Sequence, residues 1–258
     1  MIEIIVICAT ALLASALTVF SGFGLGTLLL PVFAIFFPTA VAVAMTALVH
    51  FGNNVVKLVL FGRGADKTVL RRFGLPAFLA SFVGARLLLS LADDPAIASY
   101  RLFGDEHDVT RIGIVVGVLI IFFAAWEAIP RLARIGLDPK YLPVGGGLSG
   151  FFGGLSGHQG ALRSAFLVRC GLSKEAFIGT GVVIACAVDA ARLFEYGRDM
   201  DFGPIRERWL LVAGAVVSAA AGAVLAARVL PRVSMNAIRR LVTAMLFMIG
   251  VLLIAGLV

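Results

Sequence analysis

Polar and ionisable side chains set inside apolar sequence are where the chemistry of this chain must lie, because burying them in hydrocarbon is costly unless they have a task or a partner. His50, Asn53, Asn54 and Lys57 fall in one apolar stretch, and Asp189 and Arg192 in another. His50 is about ten residues into its stretch, deep enough to bind a substrate or relay a proton, although a packing histidine is the plainer reading. Lys57 and Arg192 lie near the ends of their stretches, and there long cations can snorkel to the interface. Arg86 snorkels by default. Asp189 precedes Arg192 by three residues and can neutralise it on one helix, whereas Lys57 has no carboxylate at that spacing and is free to attract an anion.

Two glycine clusters interrupt apolar runs. Gly22, Gly24 and Gly26, followed by Thr27, form the first, and Gly157 and Gly160, enclosing His158 and Gln159 and followed by Arg163, form the second. A helix broken at membrane depth leaves backbone amides without partners. The half-helix N-termini, Thr27 to Leu29 and Ala161 to Arg163, would offer those amides and a positive dipole end to an anion. Arg163 in a first turn opposes that dipole unless an anion is bound nearby. The second cluster is therefore expected to bind mainly through the amides around Gly160 to Leu162, tuned by His158, Gln159 and Arg163. The competing reading is packing, since small residues let membrane helices approach closely. The expected substrate-binding set is Gly22, Gly24, Gly26, Thr27, His50, Asn54, Lys57, Gly157, His158, Gln159, Gly160 and Arg163. Cys8, Cys170 and Cys186 show no CxxC or Cys/His spacing, so a disulfide framework and a structural zinc are not expected, and neither are a catalytic residue, metal or cofactor.

The elements that hold these residues must be membrane helices. Of 258 residues 60% are hydrophobic and 14% charged, against about 25% charged in soluble domains. Apolar stretches run over 4–36, 40–60, 73–91, 111–126, 141–170, 176–194, 209–229 and 237–258, leaving almost nothing for a soluble domain. Glu3 and the lack of a flanking Lys or Arg mark the first stretch as retained rather than a secretory signal. The net charge of +7 is spread over short loops, without the basic run that nucleic-acid binding would need.

Loop charges orient the chain. Segments 61–72, 129–140 and 228–240 are rich in Lys and Arg, while 92–111 and 194–208 carry more acids than bases. Counting Arg163, Arg169 and Lys174 with the first group, 14 of the 22 Lys and Arg are cytoplasmic, five outside, and Lys57, Arg86 and Arg192 within spans. Tracing the chain then requires 141–174 to enter and return on the inner side. It also favours a hairpin for 4–36, broken at Ser21, Gly22, Gly24 and Gly26, with both termini periplasmic.

At an offset of 135 residues the chain matches itself. Asn54, Lys57, Leu58, Phe61, Gly62 and Arg63 fall on Asp189, Arg192, Leu193, Tyr196, Gly197 and Arg198, with Asp66 on Asp201 and Gly22 on Gly157. The reading is an all-α polytopic membrane domain over 1–258, made of two inverted-topology repeats, 1–135 and 136–258. Each is a glycine-broken re-entrant helix hairpin plus three transmembrane helices. Inverted repeats with broken helices are the architecture of secondary transporters that bind substrate near the midplane.

The run Gly22-Phe23-Gly24-Leu25-Gly26-Thr27-Leu28-Leu29-Leu30-Pro31, with its degenerate echo Ser156-Gly157-His158-Gln159-Gly160-Ala161-Leu162, resembles the duplicated glycine motif of the sulfite exporter TauE/SafE family of permeases. The resemblance extends over the whole chain. It implies export or uptake of sulfite, a sulfonate or another small organic anion across a bacterial inner membrane. His158 and Gln159 depart from the apolar or glycine residues more usual in the family, and Ala165 or Phe166 stands near the counterpart of Pro31.

Two other function classes share these features. Gly147-Leu148-Ser149-Gly150 and Gly154-Leu155-Ser156-Gly157 both read Gly-x-Ser-Gly, the local signature of rhomboid-type intramembrane serine proteases, with His50 or His158 as base. An anion channel is the other. The partners expected are the lipid bilayer and a small anion, with a homodimer as a possible assembly and no nucleic acid. The loop charges generate a direct test: cysteines introduced at Glu3 and Val258 should react with membrane-impermeant maleimide added from the periplasmic side, and labelling from the cytoplasm alone would reverse the topology.

Overall fold

Apolar runs of membrane length become helices because a backbone away from water must satisfy its own N–H and C=O groups. The computed structural model describes residues 2–21, 24–102, 104–129, 135–229 and 235–258, with backbone alone for 18–21, 226–229, 235–239 and 241. Gly22 and the loop cations Arg131, Arg134 and Arg232 lie outside the described residues. The chain is an all-α polytopic membrane protein in which α1 (Ile2–Ser21), α2 (Leu25–Ala34) and α3 (Thr39–Phe61) are followed by α4 (Lys67–Ala92) and α5 (Arg111–Ala128). After 135–141 come α6 (Leu142–Ser156), α7 (Gly160–Leu167), α8 (Lys174–Asp199), the short α9 (Gly203–Glu207), α10 (Trp209–Val229) and α11 (Met235–Ala255). Among the described residues α3, α4, α5 and α8 are long and apolar enough to cross a membrane. The 23 residues of α3 reach about 35 Å at ~1.5 Å per residue.

Local signals set several boundaries. The side chains of Thr110 and Ser173 accept from the Gly113 and Ala176 amides at the starts of α5 and α8. Asp66 does the same for Val69 at the start of α4, whose first turns pass through a π-helical segment, Leu70–Gly74. The acid-rich loop between α4 and α5 departs from an all-helical chain: β1 (Ala98–Leu102) and β2 (Asp105–Val109) pair antiparallel around a turn where Gly104 takes φ +98°.

Both glycine clusters break a helix. α6 ends at Gly157, in the left-handed conformation with φ +83°, and α7 folds back along it. Phe166 at the end of α7 faces Gly145 at the start of α6, and the Leu137 amide donates to the Ala165 carbonyl at 2.8 Å. The segment therefore reverses, its end lying beside its start. The Ser149 hydroxyl ties the two limbs by donating to the Gln159 carbonyl at 3.1 Å. In the first half α1 and α2 pack side by side, with Leu13 and Leu17 near Leu28 and Pro31.

Glycines on one helix seat the backbone of the next. Gly146, Gly150 and Gly154 of α6 meet Phe73, Ala77 and Ser81 of α4 in ascending order, so the two helices run in the same direction. Cβ atoms at those glycines would lie 2.2, 1.9 and 2.0 Å from the three carbonyl oxygens. α1 runs along α10 in the same sense, with Cys8 and Leu12 against Gly214 and Gly222. α5 and α11 run oppositely, Gly113 and Gly117 meeting Leu253 and Gly250. With no hydrophobic drive between helices in lipid, such close approach supplies the packing energy. Gly150→Ala should therefore destabilise the folded protein by about 1–3 kcal/mol, by overpacking against a backbone that cannot yield. Gly147→Ala, where a Cβ meets nothing within 4 Å, should stay within about 0.5 kcal/mol. Apparent melting of the two variants in detergent checks the difference.

Candidate functional site

The site forms where α3 and α8 cross in opposite directions. Gly179 near the start of α8 packs on the Phe61 carbonyl at the end of α3, and deeper in the protein His50 meets Asp189. Asp189 is fully buried and collects four groups: Arg192 Nε at 3.0 Å and Nη2 at 2.7 Å on one oxygen, and His50 Nδ1 at 2.6 Å and Asn54 Nδ2 at 3.4 Å on the other. Arg192, expected near an interface, is instead wholly enclosed. Its short helical spacing to Asp189 lets the carboxylate hold it inward, and a Cβ on Gly157 would lie 2.9 Å from its Nη1.

The broken helices meet beside this cluster. A Cβ on Gly26 would stand 3.5 Å from the Gly157 carbonyl, and one on Gly160 3.9 Å from the Gly24 Cα. The breaks thus touch through backbone, which larger residues would separate. Next to them a cavity of about 330 Å³ is lined by Gly24, His50, Asn54, Lys57, Gly160 and Arg163, and continues past Ser164 to Phe61, Phe177 and Ile178. Two cations face it. Arg163 Nη1 donates to Gln159 Oε1 at 3.3 Å, and Lys57 Nζ donates to Asn53 Oδ1 at 3.1 Å in the amide orientation that gives each Asn53 atom a partner. Asn53 then donates to Ser15 Oγ and to the Ala219 carbonyl, both at 3.3 Å. Neither Lys57 nor Arg163 is ion-paired among the described residues.

This arrangement can hold a small anion. A model of the sulfite exporter TauE/SafE family matches residues 7–253, nearly the whole chain. The chain belongs to the sulfite exporter TauE/SafE family. No curated protein and no solved structure matches it. Members of this family are transporters rather than enzymes, and this member is a multi-pass membrane transporter.

In this transporter the expected residues divide. Gly24, His50, Asn54, Lys57, Gly160 and Arg163 come together on the cavity; Gly26 and Gly157 form the contact between breaks; Thr27 is buried in the first turn of α2, off the cavity lining. His158 and Gln159 do not line it either. The His158 ring stacks on Phe123 with centroids 5.4 Å apart, and Gln159 is buried as the partner of Arg163. The second break reverses the chain so sharply that these two side chains are carried into packing against neighbours, a displacement that spacing does not reveal. Asp189 and Arg192 were outside the expected set, although a carboxylate in mid-span is itself a signal of function.

Of the serines in the two Gly-x-Ser-Gly runs, Ser156 Oγ lies 3.0 Å from His158 Nδ1 and 3.2 Å from the Phe152 carbonyl, and Ser149 Oγ donates to the Gln159 carbonyl at 3.1 Å. The family match favours a transporter over a protease. The buried ion pair generates a prediction: Arg192→Ala should lose about 3–5 kcal/mol by stranding Asp189, while Lys57→Ala retains the fold. Size-exclusion profiles of the two variants at matched expression distinguish them.

Proposed function

We propose that this protein is an alternating-access permease for a small anion such as sulfite or a small sulfonate, in a bacterial inner membrane, with 1–135 and 136–258 as inverted repeats. The observation that carries the reading is the convergence on one small cavity at the broken helices of Lys57 and Arg163, two cations without an ion pair among the described residues. Cations held away from bulk water without a counter-ion create a demand for negative charge. A volume near 330 Å³ lies at the small end of ligand pockets and suits a compact oxyanion.

The repeat reading is supported by contacts across the chain. Asn54 and Asp189, related by the 135-residue offset, touch each other, as residues beside a pseudo-two-fold axis must. α3 and α8, which the same offset relates, run in opposite directions. Each hairpin also packs on a helix of the other half, α1 on α10 and α6 on α4.

The cavity lining includes Phe61 and Phe177, which in sequence lie near Arg63, Lys67 and Lys174, cations expected on the inner side, and this supports access from the cytoplasm. Past Asp189 the enclosed Arg192 and Tyr196 fill the space, with the Tyr196 hydroxyl donating to the Gly154 carbonyl at 2.9 Å. Glu3 pairs with Arg208 and the Ala255 carbonyl accepts from Tyr100, so each terminus adjoins one of the acid-rich loops, consistent with periplasmic termini. Export of an anion carried alone is then favoured by the membrane potential, about 2.3 kcal/mol per charge per 100 mV.

Flux of sulfite and of small sulfonates into liposomes holding the purified protein tests this. Arg163→Gln should raise the apparent KM about tenfold, the equivalent of ~1.4 kcal/mol. Gly160→Val should abolish flux while keeping the fold, since the added atoms enter open cavity, and Gln159→Ala should cost less than either. Unchanged flux in both Arg163→Gln and Gly160→Val would place the anion elsewhere.

A further inference from the structure

A carboxylate directly behind an anion cavity repels the cargo, so the presence of Asp189 against the lining residue His50 calls for a reason. Arg192 answers for one of its oxygens; the other is held by His50, which also lines the cavity. His50 is thus the titratable side chain that joins the cavity to the buried carboxylate, at 2.6 Å. Its counterpart at the repeat offset is Ala185, and that of Asp189 is Asn54, so the titratable pair exists in one half only. From α8 the ring faces Asp189, with Arg192 and the Cys186 thiol on the same helix. Its own helix contributes Lys57 and α7 contributes Arg163. α5 brings Glu127, one turn beyond the Phe123 that stacks on His158. The parts of α1, α2 and α10 beside α3, around Ser15, Leu25 and Val216, carry no ionisable side chain.

The His50 ring touches Asp189 and lines the same cavity as Lys57 and Arg163. An anion held between those two cations adds a negative charge beside the ring, and opposite charges attract. Anion and proton therefore strengthen each other's binding, and the coupling is reciprocal. We propose that the transporter carries a proton on His50, held against Asp189, together with each anion. This rests on the anion-permease reading. Each cycle then moves one negative charge fewer than the anion alone would.

The test uses the full-length protein in liposomes, with potassium and valinomycin clamping the membrane potential at zero, and thiosulfate and methanesulfonate as probes because both stay fully ionised near neutrality. With the lumen one pH unit more alkaline than the bath, the wild-type protein should accumulate anion about tenfold, since one proton per anion converts a pH unit into a decade of concentration. A pH dye should report one proton entering with each anion. His50→Asn, a change within the cavity, should slow exchange and hold the final accumulation ratio near one. Wild-type exchange of labelled anion without accumulation or proton entry overturns the proposal, as does tenfold accumulation by His50→Asn. Absence of exchange of either probe in the wild type would instead remove the anion reading on which it stands.

Discussion

Asp189 is the point on which the interior is organised. A carboxylate at membrane depth is tolerated only when every oxygen is answered, and here the answers come from two helices: Arg192 on its own, and His50 with Asn54 on α3. The same contacts therefore neutralise the charge, lock α3 against α8 and turn Arg192 toward the second break. Removing Arg192 takes away the buried carboxylate's cationic partner, and removing His50 or Asn54 uncovers its other oxygen. The distribution of positive charge follows from this. Arg192 is committed to Asp189, so the charge available to a ligand is that of Lys57 and Arg163.

Close backbone packing makes the rest possible. The glycine ladder of α6 on α4, and the seating of α1 on α10, bring helices near enough that the two broken segments touch at Gly26 and Gly157. These contacts run along the helices, whereas the breaks meet at Gly24 with Gly160 and at Gly26 with Gly157. Tyr196, one turn beyond Arg192, is anchored to the Gly154 carbonyl and ties α8 to α6.

In the second hairpin Gln159 holds Arg163 and His158 stacks against Phe123, so neither side chain lines the cavity. Backbone reversal at Gly157 accounts for this: a left-handed residue redirects the next two side chains away from the face that Gly160 and Arg163 share.

Much of the architecture is a one-dimensional property and was legible as such. Run length and apolarity determine which segments become membrane helices, glycine density locates both breaks, and the charge of short loops requires the hairpin at 141–174. Gly24, His50, Asn54, Lys57, Gly160 and Arg163 could be picked out because polar or glycine residues at membrane depth demand a reason. Which of them meet was decided by tertiary structure. That His50 pairs with Asp189, that Arg192 points inward instead of snorkelling, and that His158 and Gln159 leave the cavity all depend on the crossing of α3 with α8 and on the turn at Gly157. Spacing along one helix states which residues share a face, but the partner of that face is set by packing between distant segments, and no local pattern encodes it.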